Sequence, residues 1–310
     1  MKIITTGSGG FVGGHLIRKL KKNFNNVQVL GLYRKNIKFK VEGVKYIKSD
    51  LNDIVSLHTI LQNQNPDYII HLAAESSVNY SWNNPANSLQ NNLNIYLNIL
   101  EVIRKLDLNP KILSIGSSEV YGKVTNKDLP LKEGQTLKPL NPYAVFRVAQ
   151  ENISKVYNQS YGFNIIMTRS FNHYGIGQDR RFFIPNLIHQ AVDKETKVIK
   201  LGDLGVVRDF IYIDDVVDAY VELLFKGKKN NIYNISTGKG HKLQEILEIL
   251  DKIYPIKKPI INDSALMRPS DNPVIIGDNS KIKQETSWFP KISLEQGLQR
   301  ILNNIEENGN

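Results

Sequence analysis

Tyr143 and Arg147 stand four residues apart in Asn141-Pro142-Tyr143-Ala144-Val145-Phe146-Arg147-Val148-Ala149-Gln150. The stretch reads as a helix opening, because proline is tolerated in a first turn, and the helical pattern continues to about Tyr161. The phenol and the cation therefore share one face, a turn apart. Upstream, Gly116-Ser117-Ser118-Glu119-Val120-Tyr121-Gly122 is a small-residue turn after an apolar run at 111–115. A phenol with a cation beside it and a hydroxyl opposite can move a proton to and from an alcohol. The cation favours the phenolate, and the serine orients the reacting oxygen. Such a pair also occurs as an ordinary solvated contact, so the reading depends on what else converges on it.

The elements that would position these groups follow from the apolar pattern. A strand at 2–6 runs into Gly7-Ser8-Gly9-Gly10-Phe11-Val12-Gly13-Gly14, and a helix continues through 15–22. Strand, glycine turn and helix are the context that a dinucleotide loop needs, a purely structural turn being the alternative. Gly7 permits the turn, Gly10 admits a pyrophosphate to the backbone, Gly13 lets helix pack on strand, and the amides of Phe11 and Val12 open the helix. The second strand, 27–33, ends in Tyr33-Arg34-Lys35 rather than in an acid for a ribose hydroxyl. Arg34 would instead meet a 2′-phosphate, which leans the cofactor toward NADP over NAD; a solvated loop is the alternative. A third strand, 44–48, leads to Asp50 and Leu51 beside the adenine, with helix capping as the other role for Asp50. A fourth, 67–72, leads to Ala73-Ala74, small enough for a flat cofactor to lie close.

Strands at 111–115 and 163–169 continue the alternation with amphipathic helices. The fold class is therefore α/β: a doubly wound parallel (Rossmann) sheet with a smaller C-terminal α/β domain. The expected division is a dinucleotide-binding domain at 1–170, with 207–236 returning to it, and a substrate domain at 171–310. Residues 170–175 read as a loop. In such sheets ligands lie beyond the carboxyl ends of the strands, where the glycine loop, Ala73, Ala74 and Ser117 all fall and which Tyr143 can reach. Three arginines of the C-terminal half, Arg181, Arg208 and Arg268, can clamp a diphosphate bidentately or serve as surface ion pairs.

The 310 residues suffice for two lobes around a cleft, and an apolar fraction of 41 % is ordinary for a soluble protein. The net charge of +10 is dispersed, with no aromatic-interleaved basic stripe, so nucleic acid is not an expected partner. A mildly basic chain suits an anionic small substrate. With no cysteine, disulfides, thiolate nucleophiles and cysteine metal sites are excluded, and no metal site is expected. No apolar signal core opens the chain, and no apolar run approaches the roughly 18 residues of a membrane span, so a cytoplasmic protein off the membrane is expected.

Several stretches together resemble the extended short-chain dehydrogenase/reductases that act on nucleotide sugars. They are the Gly7/Gly10/Gly13 loop, His71-Leu72-Ala73-Ala74, Gly116 to Gly122, Asn141-Pro142-Tyr143, and Arg169-Ser170-Phe171-Asn172-His173. Leu201-Gly202-Asp203-Leu204, Arg208-Asp209-Phe210 and Arg268-Pro269-Ser270-Asp271 are most similar to GDP-mannose 4,6-dehydratases and to reductases of GDP-4-keto-6-deoxy-mannose, the length being closer to the reductases.

The resemblance implies roles. Ser117 would hold the sugar 4-oxygen, with Ser118 also on the substrate, and Tyr143 would be its acid/base. Asn172 would bind the diphosphate side, Arg208 and Arg268 the phosphates or ribose, Asp271 the nucleotide ribose, and Leu201-Gly202-Asp203 the guanine. Glu119 matches the glutamate with which dehydratases take the C5 proton, and a homodimer or higher homo-oligomer is implied. Two positions depart from the family pattern. Phe146-Arg147 replaces serine and the lysine that binds the nicotinamide ribose, and Ile95-Tyr96 replaces a glycine and threonine after Asn92.

The expected function is an NAD(P)-dependent 4-dehydrogenase or 4-keto reductase on a GDP-activated mannose-type sugar, a heptose or deoxyhexose for surface glycan. The alternatives are a 4,6-dehydratase using Glu119, and a weakly catalytic dinucleotide-binding protein, because Arg147 replaces the lysine.

Overall fold

The computed structural model describes residues 1–266 and 272–307. In chain order the strands are β1 (Lys2–Thr6), β2 (Gln28–Tyr33), β3 (Lys45–Lys48), β4 (Tyr68–His71), β5 (Lys111–Ser114), β6 (Asn164–Ser170), β7 (Asn172–Tyr174), β8 (Ile199–Leu201), β9 (Val207–Arg208), β10 (Phe210–Tyr212), β11 (Ile232–Ile235), β12 (His241–Lys242), β13 (Ile260–Asn262) and β14 (Val274–Ile275). The helices are α1 (Phe11–Asn23), α2 (Ile54–Gln64), α3 (Val78–Asn83), α4 (Pro85–Lys105), α5 (Pro142–Ser160), α6 (Phe183–Val192), α7 (Ile213–Lys226), α8 (Leu243–Ile253), α9 (Ser280–Glu285) and α10 (Leu294–Glu307).

A seven-stranded sheet of order β11-β6-β5-β4-β1-β2-β3 organises the molecule. All its strand pairs are parallel. Apart from the edge strand β3, which is half lysine and has no buried residue, its strands are largely apolar because both faces are covered. Adjacent residues of one strand point to opposite layers: Ile3 joins the core under α1 and α7, and Ile4 the core under α2, α4 and α5. The strand order reverses between β1 and β4, and a crevice opens at their carboxyl ends.

Outside this sheet, β9 pairs with β12 and β14, and β8 with β13. The segment read as a loop contains a strand instead: β7 pairs in parallel with β10. Three residues carry too little pattern to announce a strand; the partner 38 residues on makes it one. Among the described residues no helix is long and apolar enough to cross a membrane.

Candidate active site

A cleft of about 560 Å³ lies at the carboxyl ends of β1, β2, β4, β5 and β6. Its floor at one end is the glycine turn. Gly7 has φ +68°, and a Cβ there would meet the Ala73 amide nitrogen at 2.8 Å. A Cβ at Gly13 would stand 2.5 Å from the Gly7 carbonyl oxygen, so helix and strand meet only because the residue has none. Gly10 is the N-cap of α1 and offers no side chain to close it, leaving first-turn amides at Phe11, Val12 and Gly13 without a helical partner. These residues line the cleft, as do Arg34 at the tip of β2, Asp50 and Leu51 beyond β3, and Ala73 and Ala74 beyond β4. An uncapped helix start behind a backbone cradle fits a pyrophosphate, so the residues present suit a dinucleotide. Asp50 also accepts from the Asn52 backbone amide at 3.0 Å, so it shapes the turn as well.

The other end of the cleft is built on α5. Asn141 caps the helix by accepting the Ala144 amide at 2.8 Å, and Pro142 fills the first turn. One stripe of the helix is then buried, and it carries Tyr143, Phe146, Arg147, Gln150, Ser154 and Tyr157. Arg147 Nε donates to the Tyr143 hydroxyl at 2.9 Å. Its Nη1 donates to the Ile115 carbonyl and to Gln150 Oε1, both at 2.7 Å. The guanidinium lies over the rings of Tyr143 and Phe146, at 5.0 and 4.8 Å from their centroids. Tyr143 and Arg147 are each 5 % exposed, yet both reach the cleft.

Ser117 stands opposite, where a bridge to Ser170 ties its turn to the end of β6. Its hydroxyl accepts the Glu119 amide at 3.2 Å. Ser118, Glu119, Asn172 and Arg181 complete the lining from this side. Asn141 donates to Glu119 at 2.9 Å. Arg181 reaches across to Glu75 at 3.7 Å, an exposed and weak ion pair. At the end of β4, burial and the nearby Arg147 charge push His71 down to about 3, so the imidazole is neutral.

The full chain length matches known proteins. The family model described as GDP-mannose 4,6 dehydratase aligns with residues 4–301. The chain belongs to the GDP-mannose 4,6-dehydratase family. It is 31 % identical to the GDP-6-deoxy-D-mannose reductase of Pseudomonas aeruginosa, over 98 % of this chain and 97 % of that one. It is 33 % identical to the GDP-6-deoxy-D-talose 4-dehydrogenase of Aggregatibacter actinomycetemcomitans, over 91 % and 90 % of the two chains. The solved structure of RMD from Pseudomonas aeruginosa, complexed with NADPH, superposes with a TM-score of 0.87 at 30 % identity and covers 100 % of both chains. The protein is thus an NAD(P)-dependent enzyme of the extended short-chain dehydrogenase/reductase type.

Not every candidate residue reaches the cleft of this family member. Leu201 and Gly202 lie at β8, and Arg208 on β9 is buried and donates to the Val207 carbonyl; none of the three is in the lining. Arg268 and Asp271 lie outside the described residues. Two polar residues were not singled out by type or motif. Gln150 lies on the buried stripe, three residues past Arg147, and that spacing was a readable signal. Tyr220 on α7 lines the cleft, pairs with Ser170 through hydroxyls 2.6 Å apart, and has its phenol pushed up by burial. No local pattern announces it, because α7 returns to the site from 50 residues beyond Ser170.

Proposed function

We propose that this enzyme reduces the 4-keto group of a GDP-bound 6-deoxymannose-type sugar, or runs the same step in reverse as a 4-dehydrogenase. One observation carries the reading: Tyr143, held by Arg147 Nε at 2.9 Å, faces a cleft shared with Ser117 and the glycine turn. Near-complete matches to a GDP-6-deoxy-D-mannose reductase and a GDP-6-deoxy-D-talose 4-dehydrogenase support the sugar class.

When bound, the nicotinamide supplies the hydride that sugar C4 accepts. The chain supplies the rest. Ser117 donates a hydrogen bond to the C4 oxygen and fixes its position. Tyr143 gives that oxygen its proton, so ketone becomes alcohol, and solvent later restores the phenol. Arg147 stabilises the charge left on the phenolic oxygen. A guanidinium does not deprotonate in a protein, so it is a fixed charge rather than a proton carrier. Positioned proton transfer of this kind contributes about 10²–10⁴ in rate. Burial of the pair keeps water from screening it.

A second reading, 4,6-dehydration, draws on Glu119 in the lining. The test is to incubate the protein with GDP-4-keto-6-deoxymannose and NADPH, following nicotinamide absorbance and product mass. Reduction gives one NADPH oxidised per product carrying two more hydrogens, and Tyr143→Phe lowers kcat by at least about a hundredfold. GDP-mannose losing water, in an activity that vanishes in Glu119→Gln, would establish the dehydratase instead. Tight NADPH binding without turnover of either sugar would leave a cofactor-holding protein.

A further inference from the structure

The substitution of arginine for the family lysine raises a geometric problem. A guanidinium is longer than an ammonium and offers three nitrogens, any of which can meet the phenol. The structure uses Nε for Tyr143, and the reason lies one turn further on. Gln150 is 2 % exposed. Its Oε1 accepts from Arg147 Nη1 at 2.7 Å, while its Nε2 donates to Ser114 Oγ at 2.8 Å and to the Ile115 carbonyl at 3.3 Å. The amide orientation is fixed by chemistry: Nη1 only donates and the Ile115 carbonyl only accepts, so the reverse orientation would oppose donor to donor and acceptor to acceptor.

The Ile115 carbonyl also takes Nη1 directly, so that nitrogen is held twice. Nε faces Tyr143, and Nη2 has no protein partner among the described residues. Arg147 has no carboxylate partner there either. Carbonyl dipoles thus hold the buried cation in place without neutralising it.

We propose that Gln150 is a positioning residue that adapts this site to arginine. By fixing Nη1 it directs Nε to Tyr143 and keeps Nη2 as the donor for a hydroxyl of the bound dinucleotide. A glutamine suits the task where a glutamate would not, because a carboxylate would cancel the charge that Tyr143 relies on. The inference rests on Tyr143 being the acid of the proposed reaction, but its cofactor half can be read without turnover.

The test is a cycle of Gln150→Met, Arg147→Lys and the double variant. Each is measured for NADPH affinity by nicotinamide fluorescence and for kcat with GDP-4-keto-6-deoxymannose. In the arginine background Gln150→Met weakens NADPH several-fold and lowers kcat about tenfold or more. In the lysine background, which has no Nη1 to hold, the same change alters either quantity less than about twofold. Equal losses in both backgrounds would make Gln150 a mere prop and overturn the proposal, as would no loss in either.

Gln150→Glu keeps size and shape should the methionine variant fail to fold. It lowers kcat and moves the high-pH limb of kcat upward, because a second charge beside the guanidinium weakens its hold on the phenolate. An unmoved limb counts against the proposal. If the wild type does not turn this sugar over, or if Tyr143→Phe keeps full turnover, the acid reading fails. The NADPH cycle still decides whether Gln150 sets the guanidinium.

Discussion

Asn141 holds Glu119 at 2.9 Å with the same side chain that caps the helix carrying Tyr143. The amide oxygen takes the Ala144 N–H, and the amide nitrogen is left to the carboxylate. Helix start and acidic side chain are therefore set by one residue. Asn141→Ala should cost about 1 kcal/mol of stability through the lost cap. Asn141→Ser should restore most of that, because serine also caps, while leaving Glu119 without this donor. Denaturant unfolding reads the first effect. In a reductase the second should be nearly silent in kcat, since Glu119 takes no proton from the sugar; a serine variant losing turnover at full stability would implicate Glu119 in the chemistry.

The glycine turn makes two different demands, and alanine separates them. At Gly13 a methyl would meet backbone atoms, the Gly7 oxygen at 2.5 Å and Ser8 Cα at 2.7 Å, and neither can move aside cheaply. At Gly10 the nearest atom is the Gly7 oxygen at 3.3 Å, and the residue is exposed with φ −81°. Gly13→Ala should lower both thermal stability and NADPH affinity. Gly10→Ala should leave stability within about 0.5 kcal/mol, as surface changes do, yet weaken NADPH tenfold or more by blocking the backbone approach. Equal NADPH affinity in Gly10→Ala and wild type would move the pyrophosphate elsewhere.

Much of this architecture is legible in the chain because most sheet strands are apolar runs and helices of clear period alternate with them, as α1 follows β1 and α4 precedes β5. The Tyr143–Arg147 pair is legible too, since a four-residue spacing fixes a shared face whatever surrounds it. Gln150 has the right spacing, but its role depends on the Ser114 hydroxyl and Ile115 carbonyl, brought from 35 or 36 residues upstream. The break between β9 and β10 has the same origin. Asp209 is fully buried there and accepts from the backbone amides of Thr237, Gly238 and Gly277. An aspartate in a strand-like run does not reveal three donors that lie elsewhere in sequence.

Cofactor choice should be decided at the tip of β2. Arg34 and Lys35 line the cleft there, with no carboxylate on that turn to accept a ribose hydroxyl. A 2′-phosphate would meet cations where a 2′-hydroxyl would find no carboxylate. Arg34→Ala should weaken NADPH about tenfold and leave NADH within about twofold. Titration of each nucleotide by fluorescence checks the difference. An equal change for both would return Arg34 to the solvated loop.

His71 should make the fold acid-sensitive. The Thr6 hydroxyl accepts the Ala73 amide at 3.2 Å and pairs with His71 Nδ1 at 2.9 Å, while Nε2 is buried and has no partner among the described residues. Burial first, and Arg147 second, lower the group from 6.5 to about 3. Below pH 6.5 the unfolded chain takes up a proton that the folded chain refuses. Stability is therefore full above pH 6.5, falls as pH drops toward 3, and levels off below that. The slope for one such group approaches about 1.4 kcal/mol per pH unit. Burial lowers His15 and His173 in the same direction, so the wild-type slope sums several groups. His71→Gln removes one of them and keeps an acceptor for Thr6. Urea unfolding at pH 6.5 and pH 5 should then differ by about 1.6 kcal/mol less in the variant than in the wild type. Parallel losses would mean that His71 already carries its proton in the folded protein, beside the Arg147 cation.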